Sequence, residues 1–244
     1  MKVVAVIPSR YASTRFPGKP LAPILGRPLL QWVVEGLKGS QSMSSLIVAT
    51  DHPEIFALAE SLAVEAVMTD SNLASGSDRV WAAVAQRDFD VVVNVQGDEP
   101  LFQGWALDQL VEPFLSDRDL PMATLARPLQ ADELESRDVV KVLVNQKSEA
   151  IYFSRYPIPY SRQSFADWPE ACFKHIGVYA FRKDFLKTFC AQPPVPIERG
   201  ESLEQLRALW LGGRIRVVLT ELDSLGVDRP EDVEKVERLM QKQR

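Results

Sequence analysis

The chain is poor in the residues that make metal or disulfide chemistry a framework. Only two cysteines, Cys172 and Cys190, and two histidines, His52 and His175, occur in 244 residues. Two thiols in apolar surroundings cannot staple a disulfide scaffold, and no Cys/His spacing resembles a zinc site. Long hydrophobic runs are missing as well. Met1-Lys2 leads into Val3-Val4-Ala5-Val6-Ile7, a run too short for a secretory leader or a membrane span. These absences are those expected of a reduced, cytoplasmic protein with no membrane partner.

Positive charge is not in excess. Against 28 Lys and Arg stand 33 Asp and Glu, a formal net charge of −5, which argues against a general nucleic-acid binder. No internal repeat, low-complexity tract or clear linker interrupts the chain, and no Gly-x-Gly-x-x-Gly occurs, which argues against an ordinary dinucleotide site. What is left is an ordinary globular composition, 46% hydrophobic and 25% charged, at a length that fits one large domain or one domain with a lid.

Within this acidic whole one stretch is locally basic. The apolar run Val3 to Ile7 reads as a buried parallel strand, and it opens directly into Pro8-Ser9-Arg10-Tyr11-Ala12-Ser13-Thr14-Arg15-Phe16-Pro17-Gly18-Lys19-Pro20. Arg10, Arg15 and Lys19 are interleaved there with Ser9, Ser13, Thr14 and Gly18. A loop at the carboxyl end of a first strand lies where open α/β sheets bind ligands, and fixed cations among backbone N–H groups suit a polyphosphate. A solvated basic loop is the plainer reading of the same residues.

Downstream, strand and helix patterns alternate. Pro28 to Lys38 is helical, Leu46 to Thr50 a strand, and Asp51 with Pro53 caps a helix to about Ala63. Val64 to Met68 is a strand, Ser75-Gly76-Ser77-Asp78 opens a helix, and Val91 to Val95 is a buried strand. This predicts an α/β fold, Rossmann-like, with a mostly parallel sheet and helices on both faces. Further strands are expected at Met122 to Arg127, Val139 to Asn145, Ala150 to Ser154, Phe173 to Phe181 and Ile215 to Thr220. Helices are expected over Ser202 to Leu211 and from Pro230 to about Lys242. Tyr156 to Pro169, rich in proline and aromatics, is a long excursion of the kind used for lids or subunit contacts. The organisation predicted is one catalytic domain over 1–244 with a small inserted subdomain.

Three places carry chemistry besides the basic loop. Val91 to Val95 runs into Gln96-Gly97-Asp98-Glu99-Pro100, which puts carboxylates at the same sheet edge as the cations. Asp98 is a natural first ligand for Mg²⁺, or else a cap or turn residue. Asp228, in Gly226-Val227-Asp228-Arg229-Pro230-Glu231-Asp232, reads from its residues as a helix start. His175 and Tyr179 have even spacing in a strand and share a face, so His175 is either a satisfied interior histidine or a substrate contact. His52, beside a helix start, reads as structural or exposed.

Taken in order, the basic loop, Val-Asn-Val-Gln-Gly-Asp-Glu-Pro, Tyr-Phe-Ser-Arg, His-Ile-Gly-Val-Tyr, Ser-Leu-Glu-Gln-Leu-Arg and Gly-Val-Asp-x-Pro-Glu-Asp closely resemble the 3-deoxy-manno-octulosonate (Kdo) cytidylyltransferases over essentially the whole chain. The sialic acid synthetases are less similar, since their first loop typically reads Ala-Arg-Gly-Gly-Ser-Lys. The resemblance implies a nucleotide-diphospho-sugar transferase-like fold and the reaction of CTP with Kdo to give CMP-Kdo and pyrophosphate, for lipopolysaccharide inner-core assembly. It implies that Arg10, Ser13 and Lys19, with Arg15 in the same loop, wrap the triphosphate, and that Asp98 and Asp228 hold Mg²⁺. Gln96, Arg155, His175, Tyr179, Glu204 and Gln205 then line the sugar-acid pocket, and Arg10, Lys19, Asp98 and Asp228 carry the catalysis. The segment at about 155–185 corresponds to a dimerisation region, so a homodimer is expected.

One stretch departs from the family pattern. Where the family has Thr-x-x-Asp-His-x-Ser-Gly-Thr-Asp/Glu-Arg, this chain has Thr69-Asp70-Ser71-Asn72-Leu73-Ala74-Ser75-Gly76-Ser77-Asp78-Arg79. The region faces cytosine in the family, so Ser75 and Gly76 are expected to supply backbone or hydroxyl contacts to the base. Two other functions fit the residues: the same chemistry on a related acid, such as 8-amino Kdo or another nonulosonate, and a non-catalytic nucleotide-binding module.

Overall fold

Seven extended residues, Val3–Ser9, form β1, and its first five side chains are buried, as a β-branched run covered on both faces requires. A computed structural model describes residues 1–12, 15–160, 162, 172–223 and 225–242. After β1 come a short hairpin, β2 (Pro23–Ile24) and β3 (Arg27–Pro28), then α1 (Leu29–Leu37), β4 (Ser45–Thr50), α2 (Pro53–Ser61), β5 (Glu65–Met68), α3 (Gly76–Val84), β6 (Val91–Asn94) and α4 (Gly104–Val111). The chain continues through α5 (Pro113–Ser116), β7 (Met122–Pro128), β8 (Lys141–Val144), β9 (Ala150–Ser154), β10 (Cys172–Arg182), α6 (Lys183–Ala191), α7 (Pro196–Glu201), α8 (Leu206–Trp210), β11 (Ile215–Leu219) and α9 (Pro230–Lys242). The backbone divides into two compact units, residues 1–108 with 223–244, and residues 109–222.

In the first unit β6, β1, β4 and β5 lie side by side and every pairing is parallel, with Ala5 opposite both Leu46 and Val93. Parallel neighbours need crossovers, which α1 supplies between β1 and β4 and α2 between β4 and β5, while α3 returns the chain to β6 beside β1; the loops leaving the strands collect at their carboxyl ends. α3 starts in a reciprocal capping box: Ser75 Oγ accepts from the Asp78 N–H, and the Asp78 carboxylate accepts from the Ser75 N–H. The carboxyl-terminal segment belongs to this unit. The Val227 N–H donates to the Asp98 carbonyl at 2.8 Å, and the Leu25 N–H to Glu237 Oε1 at 2.7 Å.

In the second unit β7 lies between β11, parallel to it, and β10, antiparallel to it. The start of β10 also pairs antiparallel with β8, which pairs antiparallel with β9. β10 slips register on β7 between Ile176 and Tyr179, and the Thr124 hydroxyl fills the irregularity, lying 3.2 Å from the Ile176 carbonyl and 2.8 Å from that of Val178.

The α/β fold expected from the sequence is present, with local differences. Residues 202–211 are not one helix. Ser202, at φ 54°, ends α7 in the left-handed region, and the helix resumes only at Leu206. Asp51 does not cap α2, because His52 takes that position, its Nδ1 accepting from the Glu54 N–H at 3.4 Å. The helices α4 to α7 were not anticipated. Of the segment at about 155–185, Cys172–Arg182 forms β10 and Lys183 begins α6, while 161 and 163–171 lie outside the described residues. Among the described residues neither cysteine is in a disulfide, and no helix is long and apolar enough to cross a membrane.

One buried cation organises the second unit. Lys141 has no exposed surface, and its ammonium donates to the carbonyls of Ser136, Val139 and Arg155 at 2.8, 2.7 and 2.6 Å, which uses all three of its protons. Burial pushes its pKa down, and the charges of Cys172, Glu135 and Glu201 oppose that push. Lys141→Met strands three carbonyls at once, so equilibrium denaturation in urea should show a loss of about 2–4 kcal/mol, against under about 1 kcal/mol for an exposed lysine such as Lys187.

Candidate functional site

A cleft of ≈ 270 Å³, the scale of a small organic ligand, opens in the first unit at the carboxyl ends of β1 and β6. The loop after β1 contributes Arg10, Arg15 and Lys19, and the turn after β6 contributes Gln96, Gly97 and Asp98. Leu73, Ala74, Ser75 and Gly76, leading into α3, form a third side, and Asp228 arrives from the carboxyl-terminal segment. Gly97 permits this convergence. A Cβ there would come within 3.2 Å of both the Pro8 carbonyl oxygen and Ser9 Oγ, so a side chain would fit only if the end of β1 or the Asp98 turn gave way slightly.

Two cations of the cleft are paired with its two carboxylates. Lys19 follows Gly18, whose φ of +67° suits glycine, and its Nζ lies 2.6 Å from Asp98 Oδ2 and 3.8 Å from Asp228 Oδ1. Arg15 meets the Asp228 carboxylate with two nitrogens, at 3.2 and 3.1 Å, in the forked geometry of a guanidinium–carboxylate pair. Arg10 is exposed on the wall of the cleft. Ser13 lies outside the described residues.

Asp228 is therefore not the helix cap that its own residues suggested. Asp232 Oδ2 accepts from the N–H groups of Asp228 and Arg229, at 3.2 and 3.0 Å, and this leaves the Asp228 carboxylate directed at Arg15 and Lys19. Among the described residues no group of three or more His, Cys, Asp or Glu side chains could hold a metal. Two convergent carboxylates are too few for an all-protein cage, yet they are the donor set Mg²⁺ uses when waters and phosphate oxygens complete its shell. The residues present fit that ion.

Toward α3 the walls are less charged. Asn72 folds back on its own turn, its N–H and Nδ2 donating to Asp70 Oδ1 at 2.8 and 3.0 Å, while the half-buried Leu73 faces the cleft. The Ser75 hydroxyl is occupied by the capping box and bonds Asp78 Oδ2 at 2.9 Å, so what it presents to a ligand is backbone, as does Gly76. Gln96 Nε2 bonds Asn94 Oδ1 at 3.4 Å, and Asn94 in turn bonds Ser77 Oγ at 3.3 Å, which orients the Gln96 amide.

The remaining expected residues belong to the second unit, where they gather in a largely neutral setting. His175 is buried, its Nε2 is 2.9 Å from Thr124 Oγ1, and its ring centroid is 5.6 Å from that of Tyr179. The Tyr179 hydroxyl donates to Gln205 Oε1 at 3.1 Å, while Gln205 Nε2 is a buried donor with no partner among the described residues. Burial raises the Tyr179 pKa, the Glu204 carboxylate adds to the rise, and the Arg155 cation opposes it. Arg155 Nε donates to the Glu201 carbonyl and Nη1 to the Arg137 carbonyl, both at 3.1 Å, which fixes the guanidinium with no carboxylate partner among the described residues. Arg207 grips Glu198 through two nitrogens, at 2.9 and 2.5 Å, and lies 3.6 Å from Glu204, so it ties α8 and the residues before it to α7. Thr124 carries no motif, whereas Arg207 stands in the Ser-Leu-Glu-Gln-Leu-Arg run, so only the second could have been found from sequence.

Comparison with known proteins shows the family. The family model described as Cytidylyltransferase matches residues 4–215. A 3-deoxy-manno-octulosonate cytidylyltransferase of Bdellovibrio bacteriovorus is 55% identical over 245 aligned positions, covering 100% of this chain and 99% of that protein. The chain belongs to the 3-deoxy-manno-octulosonate cytidylyltransferase family. Another member, from Solibacter usitatus, is 45% identical over 98% of this chain and 94% of its own length. A solved structure described as CMP:2-keto-3-deoxy-manno-octonic acid synthetase complexed with CTP superposes with a TM-score of 0.94, at 38% identity and with all of both chains covered.

In this member of the cytidylyltransferase family, His175 has a measurable signature. Burial pushes its pKa down to about 3, against about 6.5 in an unfolded chain. The folded state therefore binds fewer protons than the unfolded state between those values. Stability from this group is complete above about pH 6.5 and is lost as pH falls toward 3. Denaturation of the wild type and His175→Gln at intervals from pH 7 to 4 should show the wild type losing about 1 kcal/mol more per pH unit below pH 6. Parallel pH profiles for the two proteins would contradict a neutral, buried His175.

Proposed function

We propose that this chain transfers the cytidylyl group of CTP to the 2-hydroxyl of Kdo, releasing pyrophosphate, and that CMP-Kdo so formed serves lipopolysaccharide inner-core synthesis. The single observation that carries this reading is the Lys19 ammonium set between the carboxylates of Asp98 and Asp228 in a cleft that also holds Arg10 and Arg15. A triphosphate entering the cleft meets three cations, and a pure binding module has no use for two carboxylates pointed at the same anion.

In the reaction, the 2-hydroxyl oxygen forms a bond to the α-phosphorus, the bond from that phosphorus to the β-phosphate bridging oxygen breaks, and the hydroxyl proton leaves to solvent. Arg10 and Lys19 neutralise the charge that builds on the departing pyrophosphate. Asp98 and Asp228 would hold Mg²⁺, which when bound draws phosphate oxygens together and offsets their charge. Once a triphosphate is bound, Lys19 and Arg15 can exchange their carboxylate partners for phosphate oxygens. No side chain is needed as a nucleophile.

Acceptor recognition falls to Gln96, Arg155, His175, Tyr179, Glu204 and Gln205. The Arg155 guanidinium has donors left for the sugar-acid carboxylate, and the orphaned Gln205 Nε2 is suited to an oxygen of the ligand. His175, kept neutral by burial, serves by hydrogen bonding rather than by taking protons at pH 7. The base rests against Leu73 and the backbone of Ser75 and Gly76. Exposed Tyr156 and Tyr160 are the surface from which a homodimer is proposed, and a sedimentation mass of one chain at working concentration would remove that part. The reading places the reaction in the cytoplasm, where CTP is at hand.

The test is pyrophosphate release with CTP, Mg²⁺ and Kdo, run beside Asp98→Asn. Release should require Kdo and fall by about a thousandfold in the variant. Turnover with 8-amino Kdo or another nonulosonate, but not with Kdo, would move the acceptor and keep the chemistry. CTP binding with no release from any acid would leave only a nucleotide-binding module.

A further inference from the structure

We infer that Asp51 is a positioning residue of the nucleotide site, acting through the backbone amide of Tyr11 on the loop that carries Arg10 and Lys19. The inference rests on the proposal that those cations hold a triphosphate. Asp51 was expected to cap α2, and it does not. Its side chain is only 8% exposed, and its two oxygens go to different places. Oδ2 accepts from Arg79 Nη2 at 2.9 Å, and Oδ1 accepts from the Tyr11 N–H at 3.0 Å.

Tyr11 is the neck of the cationic loop. Its carbonyl accepts from the Gly18 N–H at 3.0 Å, so the two ends of the loop are joined at that point, with Arg10 just before the neck and Lys19 just after it. The Tyr11 ring stacks on His52, with centroids 3.9 Å apart and planes 15° from parallel, and it also lies against Gly18. Whatever fixes the Tyr11 amide therefore fixes where both cations start.

The anchor behind Asp51 is rigid. Arg79, 3% exposed, is held on α3 and donates through its other terminal nitrogen to Thr69 Oγ1, whose own hydroxyl donates to the Thr50 carbonyl at 3.0 Å. Loops leaving β1, β4 and β5 and the start of α3 thus meet in one network at the carboxyl edge of the sheet. Arg79 engages only one oxygen of Asp51, because its other terminal nitrogen is on Thr69. Here one oxygen is spent on the neck of the loop, and a charge-assisted bond to a backbone N–H is strong and directional.

Two substitutions separate positioning from stability, because both remove the charge partner of Arg79 while only one keeps an acceptor for Tyr11. Asp51→Asn retains a carbonyl oxygen for the Tyr11 N–H, and Asp51→Ala does not. In pyrophosphate release by the full chain, Asp51→Ala should raise the KM for CTP about tenfold or more and Asp51→Asn less than about threefold, the difference expected of one lost bond to a backbone donor. The KM for Kdo should stay at the wild-type value in both. Equal impairment of the two variants, or a parallel rise in the KM for Kdo, would overturn the inference.

Should Asp51→Ala not fold, amide hydrogen exchange on the wild type and Arg79→Lys decides. The Tyr11 amide should be protected in the wild type and lose about tenfold of that protection in Arg79→Lys, with the amides of β1 unchanged. Unaltered protection at Tyr11 would dispose of the anchor. A wild type that exchanges as expected but does not turn over CTP would refute the proposed reaction and leave the anchor standing.

Discussion

The ammonium of Lys19 is the point on which the first unit depends. It is shared by carboxylates from positions 98 and 228, so the loop after β1, the turn after β6 and the segment before α9 meet on one charge. Without a cation between them the two carboxylates would repel. The surrounding geometry serves the same convergence. Gly97 lets the Asp98 turn lie on the end of β1, Asp232 takes over the capping that would otherwise claim Asp228, and the Val227 amide ties the final segment to the Asp98 carbonyl.

The second unit solves a different electrostatic problem. Its candidate residues sit where charge is disfavoured, so His175 and Tyr179 are both held in their neutral forms by burial. The charges that do occur nearby are compensated: Arg207 by Glu198 through two bonds, and Lys141 by three carbonyls. A setting of neutral donors and acceptors distinguishes hydroxyl groups by geometry, whereas a setting of fixed charges grips an anion strongly and with less discrimination. Fixed charge thus gathers in the first unit and neutral donors and acceptors in the second.

Much of this was legible in the residues, for physical reasons that can be named. Buried parallel strands must be apolar on both faces, so Val3 to Ile7, Leu46 to Thr50 and Val91 to Val95 announced themselves, and a polar loop after such a strand marks the ligand edge of the sheet. Asp228 illustrates the limit. Its neighbours Pro230 and Glu231 favour a helix start, and only the fold reveals that Asp232, one turn on, does the capping. Asp51 failed in the same way, since an Asp before Pro is a good cap locally and its real partners, Tyr11 and Arg79, are remote in sequence. Lys141 was invisible because a lysine in an apolar strand gives no hint that three carbonyls await it. The break at Ser202 was hidden too, since apolar spacing continues across a residue whose backbone turns left-handed.

The first unit is discontinuous, with its sheet made from the early part of the chain and one carboxylate of its cleft from position 228, after the whole of the second unit has intervened. A ribosome therefore releases the strands, the cationic loop and Asp98 long before Asp228 exists. During that interval Lys19 has one carboxylate instead of two, and the edge of the sheet carries an excess of positive charge. Asp228 is the last of the cleft's charges to be made, so the carboxylate that meets Arg15 and the second one that Lys19 faces arrive only with the segment before α9.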